Sequence, residues 1–334
     1  MDLAVFWFIL IAVLWTGYLV LEGFDFGVAM LMEKVGKGDR GRRTALNTIG
    51  PVWDGNEVWL LTAGGAMFAA FPEWYATMFS GFYLALLLIL LALIARGVSF
   101  EYRHQRPGAE WTRGFDRMIV AGSAIPALLW GVAFANVVRG VPLDAGFNYT
   151  GTFFDLLNPY ALLGGLTTLL LFFTHGVVFV SLKTEGDIRE RARLLAVKSG
   201  VVTIVVAASF LAWTVLAYGS PATAVFAGLA AVALVAAFIA NLRGAEGWAF
   251  GLMAATIALA VLTLFVSLFP DVMPASNDPA NSLTIANASS TPYTLQVMSW
   301  TALFAMPVIL AYQGWTYWVL RKRLSRKTIE AAVH

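Results

Sequence analysis

Four carboxylates stand where a strongly apolar chain would ordinarily avoid charge. Glu22 and Asp25 lie in Leu-Glu-Gly-Phe-Asp-Phe-Gly-Val (21–28), and Asp54 and Glu57 in Gly-Pro-Val-Trp-Asp-Gly-Asn-Glu-Val-Trp (50–59). Within each pair a spacing of three residues sets both acids on one side of a helix. Charge inside a membrane is expensive, and where it persists it marks a route for ions or protons. Arg96, at the end of the third apolar run, is an available counter-charge. Burial and a neighbouring arginine act in opposite senses on a carboxyl's hold on its proton, so such a cluster can exchange protons near neutrality. A plainer role also fits. With Pro51 at the first helical position, Asp54 falls in the second turn, where the helix dipole favours an acid, and Arg96 suits a helix C-terminus.

Other chemistry is scarce. His175, in Phe-Phe-Thr-His-Gly, is the one histidine inside an apolar run; His104 falls in a loop and His334 ends the chain. A haem ligand is conceivable for it, but a lone histidine in such a setting more often packs and hydrogen-bonds. There is no cysteine, hence no thiolate metal site, cysteine nucleophile or disulfide. No His pair has metal spacing, and scattered methionines in apolar helices mostly fill space. The chain is therefore expected to bind no metal and to build no redox centre on its own.

The elements that must position the acids follow from hydropathy. The chain has 334 residues, 59% of them hydrophobic and 13% charged, against about 25% charged in a soluble domain. A spanning helix needs about 20 mostly apolar residues. Nine runs qualify, at 3–32, 50–71, 75–98, 116–139, 158–182, 197–219, 221–241, 247–270 and 295–320, forming a single transmembrane domain. Lysine and arginine crowd the loops 33–49, 96–117 and 183–198, the turn at Arg243, and the tail with Arg321, Lys322, Arg323, Arg326 and Lys327; the alternate loops hold only Arg139. Positive charge marks the cytoplasmic side, so the N-terminus is expected outside, as a retained first helix, and the C-terminus in the cytoplasm. On antiparallel neighbours Asp25 and Glu57 then lie at similar depths, roughly 10 Å from the cytoplasmic surface. Gly23 and Gly27 form a small-residue pair that lets another helix approach closely. Net charge is +2, with no basic soluble domain, which gives no reason to expect nucleic acid.

These blocks resemble subunit II of the cytochrome bd-type quinol oxidases. The resemblance rests on 22–28 and 50–60, with Thr-Ala-Gly-Gly-Ala-Met-Phe-Ala-Ala-Phe-Pro (62–72), Phe-Ser-Gly-Phe-Tyr (79–83), Gly-Val-Ala-Phe-Ala-Asn (131–136) and Leu-Leu-Asn-Pro-Tyr (156–160). It continues in Phe-Pro-Asp-Val-Met-Pro-Ala-Ser (269–276) and Ser-Leu-Thr-Ile-Ala-Asn-Ala-Ser-Ser (282–290), in order along the whole chain. It implies an all-α polytopic membrane protein of nine helices, two four-helix bundles plus one peripheral helix, in the bacterial cytoplasmic membrane. It implies a heterodimer with a haem-bearing subunit I that carries two haems b and haem d, oxidises membrane quinol and reduces oxygen to water. A small single-helix accessory subunit and membrane lipid are further implied partners. Asp54 matches a proton-route residue of the family, with Asp25 and Arg96 beside it, and Trp59 matches its proposed oxygen entrance; an interfacial anchor is the alternative for Trp59. Ala29 stands where the family has Gly, Glu57 where an amide is commoner, and the link 219–222 is very short. Two other readings remain open from the residues: a cation-coupled secondary transporter, which would need broken helices or inverted repeats, and a scaffold whose acids serve only packing.

Overall fold

A computed structural model describes residues 2–324; Arg326, Lys327 and His334 lie outside them. The chain is a helical bundle built around its first helix, α1 (Leu3–Val35). After it come α2 (Gly38–Leu46), α3 (Trp53–Ala70), α4 (Pro72–Gly81), α5 (Tyr83–Tyr102) and α6 (Ala109–Arg139). Then follow α7 (Pro159–Lys183), α8 (Gly186–Tyr218), α9 (Pro221–Leu242), α10 (Glu246–Leu268), the short α11 (Ile285–Ala288) and α12 (Pro292–Val319). Eight of these are long and apolar enough to cross a membrane among the described residues: α1, α5, α6, α7, α8, α9, α10 and α12. The acid-bearing α3, with 18 residues, falls outside that group.

Local sequence sets the helix starts. The Asp2 carboxylate accepts from the Ala4 amide, Asn158 caps α7 ahead of Pro159, Ser220 caps α9 ahead of Pro221, and Thr291 caps α12 ahead of Pro292. Each cap satisfies an amide that the helix itself leaves free, and proline at the first position loses nothing there. Pro72 also separates α3 from α4, since it cannot donate into a continuing helix; Phe71, between them, is non-helical. A second break at Phe82 divides α4 from α5. The single run expected at 75–98 is thus two helices, and α5 extends to Tyr102.

Alpha1 is the hub, packed against α3, α6, α7 and α10. Its crossing with α7 is the tightest: a Cβ on Gly27 would stand 2.0 Å from the Phe172 carbonyl oxygen, and one on Gly176 2.4 Å from the Gly27 carbonyl carbon. Only glycine allows backbones this close. At the end opposite the basic loops, the stretch from Pro270 to Thr294 is ordered rather than open. It contains an antiparallel pair, β1 (Asp271–Met273) with β2 (Leu283–Thr284). Asn277 grips Leu143 twice, accepting from its amide and donating to its carbonyl, both at 2.9 Å. The α6–α7 and α10–α12 connections are thereby tied into one cap.

Candidate functional site

Where α1, α3 and α5 meet, Glu22, Asp25, Asn56 and Arg96 are all fully buried. Arg96 donates to the Glu22 carboxylate and lies 3.7 Å from Glu57 Oε2, so one cation serves two acids. Aromatic faces enclose the guanidinium, with Phe26 at 4.8 Å, Phe100 at 5.2 Å and Trp53 at 5.9 Å from Cζ. Such faces attract a cation through their quadrupole and keep water away from it. The sixth helix can pass this close because Gly122 has no side chain; a Cβ there would be 2.9 Å from Arg96 Cβ.

A second strand of the site leaves Asp25. Asn56 donates from Nδ2 to Asp25 Oδ2 at 2.7 Å, and its Oδ1 accepts from the Tyr317 hydroxyl at 2.7 Å and Gln313 Nε2 at 3.3 Å. Gln313 in turn accepts the Trp59 indole N–H at 2.7 Å. Gln313 and Tyr317 thus fasten α12 to α3 through hydrogen bonds. The cluster also keeps spare bonding capacity: Glu22 Oε2, Asp25 Oδ1 and Arg96 Nε and Nη2 are buried with no hydrogen-bond partner among the described residues. A group that receives or releases a proton needs such open positions, and their burial without partners is otherwise costly.

Of the residues selected from sequence, the structure brings together Glu22, Asp25, Glu57 and Arg96. Asp54 is not among them: it lies on the exposed face of α3 with Gly55, Val58 and Leu61. Trp59 is half-buried, seated over Gly17, where a Cβ would meet its ring at 2.2 Å. Next to it in the chain, Leu60 opens an apolar cleft of about 500 Å³ whose walls include Gly64, Phe68, Leu86, Ile89 and Trp130.

Sequence reasoning missed Asn56, Gln313, Tyr317 and the buried Asp116. The first stood inside the quoted Trp-Asp-Gly-Asn block, and Gln313 is an amide in the middle of an apolar helix; both signals were present. Asp116 ties the basic ends of the helices together: Arg103 donates to it at 2.6 Å and to Asp39 at 2.7 Å, and Arg42 is 3.3 Å from it.

His175 is fully buried among aromatic rings. Its ring lies flat against Phe250, at 4.7 Å and 8° between planes, with the edge of Phe24 at 5.8 Å. Neither nitrogen makes a hydrogen bond of ordinary geometry. Among the described residues no group of three His, Asp or Glu side chains is placed to hold a metal ion.

Comparison with known proteins agrees along the chain's length. The family described as cytochrome bd terminal oxidase subunit II matches residues 3–320. The cytochrome bd ubiquinol oxidase subunit 2 of Bacillus subtilis is 45% identical over 328 residues, covering 96% of each chain. The cytochrome bd-I ubiquinol oxidase subunit 2 of Escherichia coli K12 is 36% identical, covering 98% of this chain and 97% of its own. Among solved structures, a chain of the bd oxidase from Geobacillus thermodenitrificans superposes with a TM-score of 0.76, covering 96% of this chain and 98% of that one. Its 16% identity speaks to the fold alone.

Proposed function

The chain belongs to the cytochrome bd terminal oxidase subunit II family, and from that premise we propose that it carries protons from the cytoplasm to oxygen chemistry in its partner. As a family member it is one subunit of a quinol-oxidising enzyme, a multi-pass membrane protein that works with a subunit I. The finer reading is our own. It counts nine spans, with α3 as the ninth, in two four-helix bundles plus a peripheral helix, and sets the N-terminus outside the bacterial cytoplasmic membrane. It assigns the two haems b, haem d and the oxidation of quinol to the partner.

The observation that carries this proposal is the buried group of Glu22, Asp25 and Arg96, with its unfilled bonding positions beside Glu57. Intramembrane acids are retained where they conduct. Protons enter from the cytoplasm near Arg96, pass Asp54 and Asp25 with Glu57 and Glu22 beside them, and reach oxygen chemistry in the partner. A carboxylate on an apolar helix face facing lipid would be uncompensated, so that face of α3 is one the partner subunit covers. Oxygen, an apolar gas, enters beside Trp59 and follows the cleft that begins at Leu60. Taking protons from inside while quinol oxidation releases them outside builds membrane potential without a pump.

The test is Asp54→Asn in the assembled complex. Quinol-driven oxygen uptake is expected to fall about tenfold or more, the usual scale for losing a proton-transfer group, with haem content unchanged. Full turnover in an assembled complex would remove Asp54 from the route and favour a scaffolding role for the acids.

A further inference from the structure

The end of α12 closes a cavity of about 340 Å³ against the 47–52 turn, the last turn of α7 and the start of α10. Its wall sets Lys183, Arg321 and Lys322 beside Val52, Phe179 and Leu182. The lysine of α7 is fixed there by donating to the Leu320 carbonyl and, at 3.1 Å, to that of Lys322. Arg321 is steadied over the Trp318 ring, 4.4 Å from its centroid. Elsewhere at these helix ends cations meet acids: Arg103 meets Asp116, Arg191 meets Asp187, and Arg189 and Arg323 both meet Glu246. Lys183, Arg321 and Lys322 have no carboxylate within ion-pair distance among the described residues.

Three uncompensated cations on one side of a cavity and an apolar wall on the other call for a ligand that is anionic at one end and apolar at the other. We propose that this cavity binds the headgroup phosphate of an anionic phospholipid, whose acyl chains leave along Val52, Phe179 and Leu182. The lysine–arginine bias assigns this end of the helices to the cytoplasmic face, where basic side chains draw anionic lipid and long cationic side chains reach to the headgroup layer. Free phosphate would satisfy the charge but leave the apolar wall unused. Tyr317 also lines the cavity and donates to Asn56, which donates to Asp25. The bound lipid therefore touches the outer end of the polar chain described above.

The test uses the complex purified in mild detergent, with retained lipid counted by native mass spectrometry after exchange into phosphatidylglycerol or phosphatidylcholine. Phosphatidylglycerol is expected to be retained preferentially, and the Arg321→Gln/Lys322→Gln double variant to retain about tenfold less of it. Both side chains are exposed on the cavity rim, and Arg321 bonds only within its own helix end, at Trp318, so this variant decides the matter even if Lys183→Gln fails to assemble. Equal retention of the two lipids, or equal retention by parent and double variant, would overturn the proposal. So would displacement of the lipid by millimolar inorganic phosphate, which would mark a site for the free anion.

Discussion

Gln313 holds the Trp59 indole through a 2.7 Å hydrogen bond while its own amide reaches Asn56. One side chain on α12 therefore fixes both the residue at the proposed oxygen entrance and the residue that bonds Asp25. Replacing it with leucine keeps the volume and removes both bonds. We expect Gln313→Leu to raise the apparent KM for oxygen several-fold, with a smaller change in kcat, because a freed indole can swing over the cleft at Leu60. A buried indole N–H left without a partner costs about 1–3 kcal/mol. The check is oxygen uptake by a fast electrode across oxygen concentrations, with Trp59→Phe as companion. If both variants keep the parent KM, Trp59 is an anchor at the interface and not a gate.

Arg96 sets up a second test, of charge balance. Removing it as Arg96→Met leaves Glu22 buried without its cation. Breaking a buried pair by deleting one partner costs about 3–5 kcal/mol, so the complex should be recovered in much lower yield or melt at lower temperature. Adding Glu22→Gln to that variant should restore part of the loss, since no buried charge is then left facing nothing. The measurement is thermal melting of the detergent-solubilised complex for both singles and the double. Strict additivity of the two losses would show that the pair does not act as a unit.

The contact between Gly27 and Gly176 gives a third test, on packing alone. A methyl at Gly27 would stand 2.0 Å from the Phe172 carbonyl, so α1 and α7 must separate. Overpacking of this sort costs about 1–3 kcal/mol. Gly27→Ala is expected to lower the melting temperature of the complex, and Gly228→Ala on α9, at a position with open space around it, to leave it unchanged. A similar melting temperature for both would mean that the crossing has slack that the backbone distances do not suggest.

Much of the site was legible before any coordinates, and for definite reasons. Glu22, Asp25 and Arg96 stood out because charge is rare in apolar runs, and helix rise alone put Asp25 and Glu57 at one depth. The same arithmetic failed at Asp54. Three residues along a helix leave an angular offset of about 60°, and on α3 the edge between buried and exposed falls inside it, so Glu57 turns inward and Asp54 outward. Nothing local announces Tyr317 or Gln313 as partners of Asn56, because those contacts join positions more than 250 residues apart. The break at Phe82 was hidden too. Ser80 and Gly81 precede it, but the apolar residues on either side mask so short an interruption.

The double grip of Asn277 on Leu143 has a mechanical meaning. It copies the paired bonds of a strand ladder and latches two long connections at one end of the bundle. The opposite end is joined differently, by arginine–carboxylate contacts such as those of Arg103 with Asp116 and Asp39. One rim of the bundle is therefore sewn with neutral bonds and the basic rim with charge.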